Sequence, residues 1–76
     1  MMAKRVPMSY DKDHGRWRVE AWGQSFGLHC GEALQLHLDR RILHGRLEFG
    51  RTWYVIVDDV PFGLLEGRIY TISVKM

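Results

Sequence analysis

His29 and Cys30 stand side by side, and a thiol next to an imidazole is the pair that a nucleophilic enzyme uses, with the imidazole as base. On an extended chain, however, adjacent side chains leave on opposite faces, so these two read as a small thiol and a turn histidine. A metal site is the sharper alternative, with His29, Cys30, His37 and His44 offering one thiolate and three imidazoles. Zinc sites in short chains show two close ligand pairs such as C-x-x-C, and this chain has one cysteine. Asp58-Asp59, and Glu48 with Glu66, are the carboxylate pairs available for acid–base work. Asp-Asp at a strand end before a proline is ordinary turn chemistry, because both side chains accept loose backbone N–H groups. Gly23, Gly27 and Gly31 serve backbone geometry, since no helix follows to lend its N-terminal N–H groups to a phosphate. A chain of 76 residues also has little room for a water-excluding pocket. The expectation is a protein with no catalytic residue, no cofactor, no metal and no small-molecule substrate.

Binding is the class with positive support. Alternation places Arg16, Arg18 and Trp22 outward on one strand, Ile42, His44 and Arg46 on another, and Tyr54 and Ile56 on a third. Arginine interleaved with aromatics suits single-stranded nucleic acid or RNA, with guanidinium groups on phosphates and rings stacked on bases. It equally suits protein interfaces, where Trp, Tyr and Arg are the usual hot spots. A sheet this small also buries both faces in part, which would make the same residues second-layer packing. Glu20, Glu48 and Asp58-Asp59 dilute a phosphate-binding surface, and a net charge of +2 is too small to imply a polyanion by itself. A protein partner or a second copy of the chain is therefore the first expectation, and nucleic acid the alternative.

The elements that carry these residues are strands. One domain is all that this length allows, and a chain so short buries only about 60% of its unfolded surface, so the nine aromatic residues must supply part of a thin core. A lone cysteine forms no internal disulfide, and no segment approaches a signal peptide or a membrane span, which points to a soluble protein of the reducing cytosol. Residues 1–8 read as a flexible lead-in because Pro7 denies a ladder donor and Lys4-Arg5 are solvated, leaving 9–76 as the domain. After a turn at 11–15, Trp17, Val19 and Ala21 share one face of a strand over 16–22. Residues 23–32 form a turn-rich connection. Leu34, Leu36 and Leu38 then point inward, and Asp39-Arg40 turns the chain into a strand over 41–49 in which Leu43, Gly45, Leu47 and Phe49 share a face. Gly50-Arg51 leads to a central strand, Thr52 to Val57, apolar on both faces. Residues 58–63 read as a loop, 64–67 as at most one helical turn, and 68–74 as the last strand with Tyr70, Ile72 and Val74 on one side. The sum is an all-β, five-stranded antiparallel meander closing into a small SH3-like barrel or roll, with an open, strongly bent sheet as the alternative. In the open form the first and last strands are edges without inward charge or proline, and Trp22, Tyr54 and Ile69 beside them favour a homodimer.

Three stretches, Gly27-Leu28-His29-Cys30-Gly31-Glu32-Ala33-Leu34, Leu47-Glu48-Phe49-Gly50-Arg51-Thr52-Trp53-Tyr54 and Leu65-Glu66-Gly67-Arg68, occur in that order. Together they resemble a domain-of-unknown-function family of very short bacterial proteins with a G-L-H-C-G-E core, an E-aromatic-G-x-x-W-Y step and a closing L-x-G. The resemblance covers roughly residues 10 to 72 and implies a bacterial, cytoplasmic protein. It implies no activity, ligand or catalytic residue.

Overall fold

Five of the connections in this chain are two to four residues long, and each folds the chain straight back on itself. The computed structural model describes residues 1–76 and contains eight strands and no helix: β1 (Met2–Asp11), β2 (Arg16–Ala21), β3 (Gln24–Gly27), β4 (Ala33–Leu38), β5 (Arg41–Phe49), β6 (Trp53–Val57), β7 (Val60–Gly63) and β8 (Tyr70–Lys75). All pair antiparallel in one sheet of order β3-β2-β1-β8-β4-β5-β6-β7, which does not close on itself. The all-β reading holds; the structure has eight strands where five were expected, in an open, bent sheet rather than a closed barrel.

The extra strands come from three places. Residues 2–8, expected as a lead-in, are most of β1, and Ala3 and Met8 belong to the core. Trp22-Gly23, both at positive φ (53° and 71°), make a tight turn that sends the chain back as β3. Asp58 and Asp59, at φ 50° and 64°, do the same for β7, so residues 58–63 are a hairpin and not a loop. The hairpin about Asp39-Arg40 stands as expected, with Leu38 opposite Arg41. The turn from β5 to β6 is one residue longer than expected, since Phe49 pairs with Trp53. Residues 64–67 form no helix; Arg68 N–H donates to the Leu65 carbonyl (3.0 Å) in a simple turn.

Two meanders, β1 to β3 and β4 to β7, are joined by β8, which lies between β1 and β4. The strands expected as edges, β2 and β8, are therefore interior, and the edges are β3 and β7. Opposite Ser73 the first strand carries two residues, Lys4 and Arg5, between the pairs Ala3–Val74 and Val6–Ile72. Arg5 sits at φ 51°, and its N–H donates to Ser73 Oγ (3.1 Å), so this bulge keeps both Ala3 and Val6 on the inner side.

The inner face curls around one core. Trp17, Met8, Leu36, Leu47, Val55 and Ile72 are fully buried there, with Leu28 and Leu64 folded in from connecting segments. Trp17 is wedged edge-on between Tyr10 and Tyr70, with ring centroids 5.4 and 5.6 Å away. The central strand is registered with Val55 inside and Trp53 half-buried beside it. Across the curl the Trp53 indole donates to the Gly15 carbonyl (3.2 Å), tying β6 to the β1–β2 turn.

The curl is tightest at Gly45. A Cβ there would stand 2.5 Å from Val55 Cγ1 and 2.7 Å from the Ile56 carbonyl oxygen, inside any allowed contact. Because one of those atoms is ladder backbone, a methyl group cannot be accommodated by side-chain motion alone. Gly45→Ala is expected to lower stability by roughly 1–3 kcal/mol or more in a urea titration, whereas Gly67→Ala, with nothing within 4 Å, should leave the midpoint unchanged.

Candidate interaction surface

The outward residues singled out by alternation fall into two groups, separated by β1, β8 and β4. On β2, Arg18 turns its guanidinium onto the edge strand: Nε donates to Ser25 Oγ (2.9 Å), Nη2 to the Ser25 carbonyl (3.3 Å), and Asp11 Oδ2 lies 3.8 Å from Nε. Arg16 sits half-buried opposite Asp11. Trp22, expected on the outer face of the same strand, is instead the first residue of the β2–β3 turn, where its ring meets Phe26 edge-on at 6.1 Å.

The second group lies on β5 and β6. Ile42, His44 and Arg46 line the outer face of β5, and Tyr54 and Ile56, both half-buried, face the same way on β6. Arg46 is held by Glu48, which also accepts from the Cys30 thiol (3.1 Å). These hydrogen bonds, the thiol's first and the guanidinium's second, hold the Glu48 carboxyl below its ordinary value. The other ligand candidates are not brought together. His29 bonds through its backbone, its N–H donating to Glu32 Oε1 (2.9 Å) and its carbonyl accepting the Glu32 N–H (3.2 Å). The His37 ring, through Nε2, meets Ser73 Oγ (2.8 Å), and that oxygen also accepts the Arg5 N–H of the bulge. The His37 Nδ1 is buried with no partner. Desolvation, and after it the positive charge of Arg5, push the pKa of His37 below its ordinary 6.5.

A third surface unites residues that alternation did not group. At one end of the curled sheet the inner face is left uncovered. Val60 and Phe62 of β7 are 60% and 41% exposed, and Leu65 and Ile69 of the segment leading to β8 are 61% and 72% exposed. Between Phe62, Leu65 and Ile69 lies a cleft of about 460 Å³ bordered by His37, Leu38, Asp39, Arg68 and Tyr70. A second hollow of about 290 Å³ shares Leu38 and Phe62 with it and runs along Leu43 and Val57 to Val60. Leu38, Leu43 and Val57 are only half-buried, so the core continues without a break into this open end.

A family described as a domain of unknown function, DUF5348, matches residues 6–74. The chain belongs to that family. No curated protein and no solved structure matches it. The DUF5348 match runs from the middle of β1 into β8 and so takes in both meanders and the strand that joins them.

Of the open end, sequence reasoning had only Ile69 as an exposed residue. Val60 and Phe62 were missed because a proline stood between them and the stretch looked like a loop. The signal was the Asp58-Asp59 pair between two apolar alternations, Val55-Ile56-Val57 and Val60-Pro61-Phe62, which is how a two-residue hairpin turn is flanked.

The site at His37 has a measurable pH dependence. A histidine whose folded pKa is depressed favours the folded state while neutral, so its contribution is complete above 6.5 and is lost as pH falls below that value. Glu48 acts in the same direction but only as pH falls below 4.5. The melting temperature is expected to drop between pH 7.5 and pH 5.5, and His37→Gln should remove part of that slope. Equal slopes in the two proteins would rule out His37 as a contributor.

Proposed function

We propose that this DUF5348 domain is a protein-interaction module and that it docks its partner at the open end of the sheet. The observation that carries the reading is the run of Val60, Phe62, Leu65 and Ile69, exposed together and continuous with the half-buried Leu38, Leu43 and Val57. Contiguous apolar surface rimmed by polar groups marks contact sites in soluble proteins, and here Asp39, Arg41, Asp58 and Arg68 form the rim. Nucleic acid fits less well. The guanidinium groups of Arg18 and Arg46 are already held by Ser25 and Glu48, and phosphate contacts would have to break those pairs. The dispersed Arg and aromatic residues also lack the adjoining stacking platform that single strands use.

The test is site-specific crosslinking in cells. A benzophenone amino acid at position 69 is expected to give a discrete adduct that protease digests and nuclease leaves intact. Phe62→Glu should abolish the adduct while lowering stability by only about 1 kcal/mol, the partial burial of a ring that is 41% exposed. An adduct that nuclease removes, or an equal yield from a benzophenone at position 18, would overturn the reading.

A further inference from the structure

We infer that the partner at the open end is a second copy of this chain, packed face to face about a twofold axis that runs over Leu38 and Phe62. The inference rests on the protein-interaction reading above. Two walls frame the open end. One is the β4–β5 hairpin, where Leu38 stands opposite Arg41 and Asp39 is in the turn. The other is the continuous stretch from the end of β6 through β7 to Ile69, which carries Asp58, Phe62 and Arg68. Between the walls, Asp39 and Arg68 border the 460 Å³ cleft, and Arg41 and Asp58 border the 290 Å³ hollow. Leu38 of the first wall and Phe62 of the second border both, so a line from one to the other divides the surface.

Across that line the charges change sign on both walls. The hairpin wall has its acid, Asp39, on the cleft side and its base, Arg41, on the hollow side. The opposite wall has its base, Arg68, on the cleft side and its acid, Asp58, on the hollow side. None of the four is in an ion pair within the chain. A twofold axis lying in the contact plane along the Leu38–Phe62 line sets the cleft of one copy over the hollow of the other and each wall against its counterpart. Asp39 then meets Arg41 of the second copy, Arg68 meets Asp58 of the second copy, and each pair occurs twice. Had either wall carried one sign throughout, the same rotation would press like charges together, at a cost of several kcal/mol. Reversal across a line is what an isologous contact requires of a surface, and a foreign partner makes no such demand.

The apolar side chains obey the same axis. Leu65 and Ile69, exposed beside the cleft, come over the hollow formed by Leu43, Val57 and Val60 of the second copy. Phe62 lies on the axis and meets its own counterpart. Apolar groups are covered at the centre and the ion pairs close the rim, which is the anatomy of a homodimer contact.

The experiment is sedimentation of the purified full chain over a range of concentrations, where a dimer that dissociates on dilution through the micromolar range is expected. Arg68→Glu and Asp58→Arg each place like charges together twice in the dimer, and each should weaken association by about tenfold or more. An equimolar mixture of the two variants should regain the dimer, because every pair in the mixed dimer is again of opposite sign. Lys12→Glu, a charge reversal of the same size in the exposed β1–β2 turn, should leave association unchanged. Asp58 sits at φ 50°, so each variant is first checked for a cooperative melt. If that turn rejects arginine, a benzophenone at position 69 of the purified protein carries the test: the expected adduct has twice the chain's mass and joins position 69 to residues 57–60 of the second copy. A monomer at every concentration, a dimer indifferent to Arg68→Glu, folded variants that stay apart when mixed, or an adduct mapping elsewhere would overturn the proposal. A monomer in the centrifuge together with capture of a different protein by the benzophenone in cells would overturn the second copy and leave the interaction module standing. No dimer and no adduct in cells would remove the two together.

Discussion

Everything in this fold depends on β8 filling the space between β1 and β4. Ile72 pairs with Val6 on one side and Leu36 on the other, and it is fully buried. Without it, a three-stranded and a four-stranded meander would each have one apolar face and nothing to set against it, a condition in which small sheets are marginal. With it, the two faces become one surface that curls over Trp17 and Leu47. The bulge at Lys4 and Arg5 belongs to this constraint, because it restores the inward phase of β1 on either side of Ser73. Ser73 is itself the one buried polar side chain, and its hydroxyl bonds to both neighbours, accepting the Arg5 N–H and pairing with Nε2 of the His37 ring.

What was legible in the sequence was local and periodic. Leu34, Leu36 and Leu38 alternate without interruption, and so do Leu43, Gly45 and Leu47, so residue order alone places the β4–β5 hairpin and its two-residue turn. Illegible elements each contain a residue that ordinarily argues against a strand or a turn. Pro7 lies within β1, yet the ladder with β2 begins only at Met8, so at Pro7 the strand has β8 alone for a neighbour. Trp22 occupies a left-handed turn position where asparagine or aspartate would have announced the hairpin. Pro61 stands in β7 because that strand is an edge, the one place in a sheet where proline is at home. Strand order was beyond reach altogether, since the pairing of Met2 with Lys75 has no local trace.

The candidate surface shows the same division. Alternation found side chains that do point outward, such as Ile42, Arg46 and Tyr54, but outward position does not make a site, and two of the three arginines, Arg18 and Arg46, proved to be engaged with neighbours. The open end arises from the curl itself. Eight short strands can wrap the inner face only so far, and the wrap runs out at β7, leaving Val60 and Phe62 with nothing above them. The apolar residues that a larger domain would spend on its core are here available to another molecule.

The position of β8 also governs how the chain is made. Strands one to seven leave the ribosome while the middle of the sheet is vacant, and until Tyr70 to Lys75 follows, both β1 and β4 present unpaired edges. A nascent chain in that state exposes two free strand edges and an uncovered apolar face. At high expression it is also a receptor for the last strand of another molecule, so that exchange of β8 between chains competes with correct closure within one.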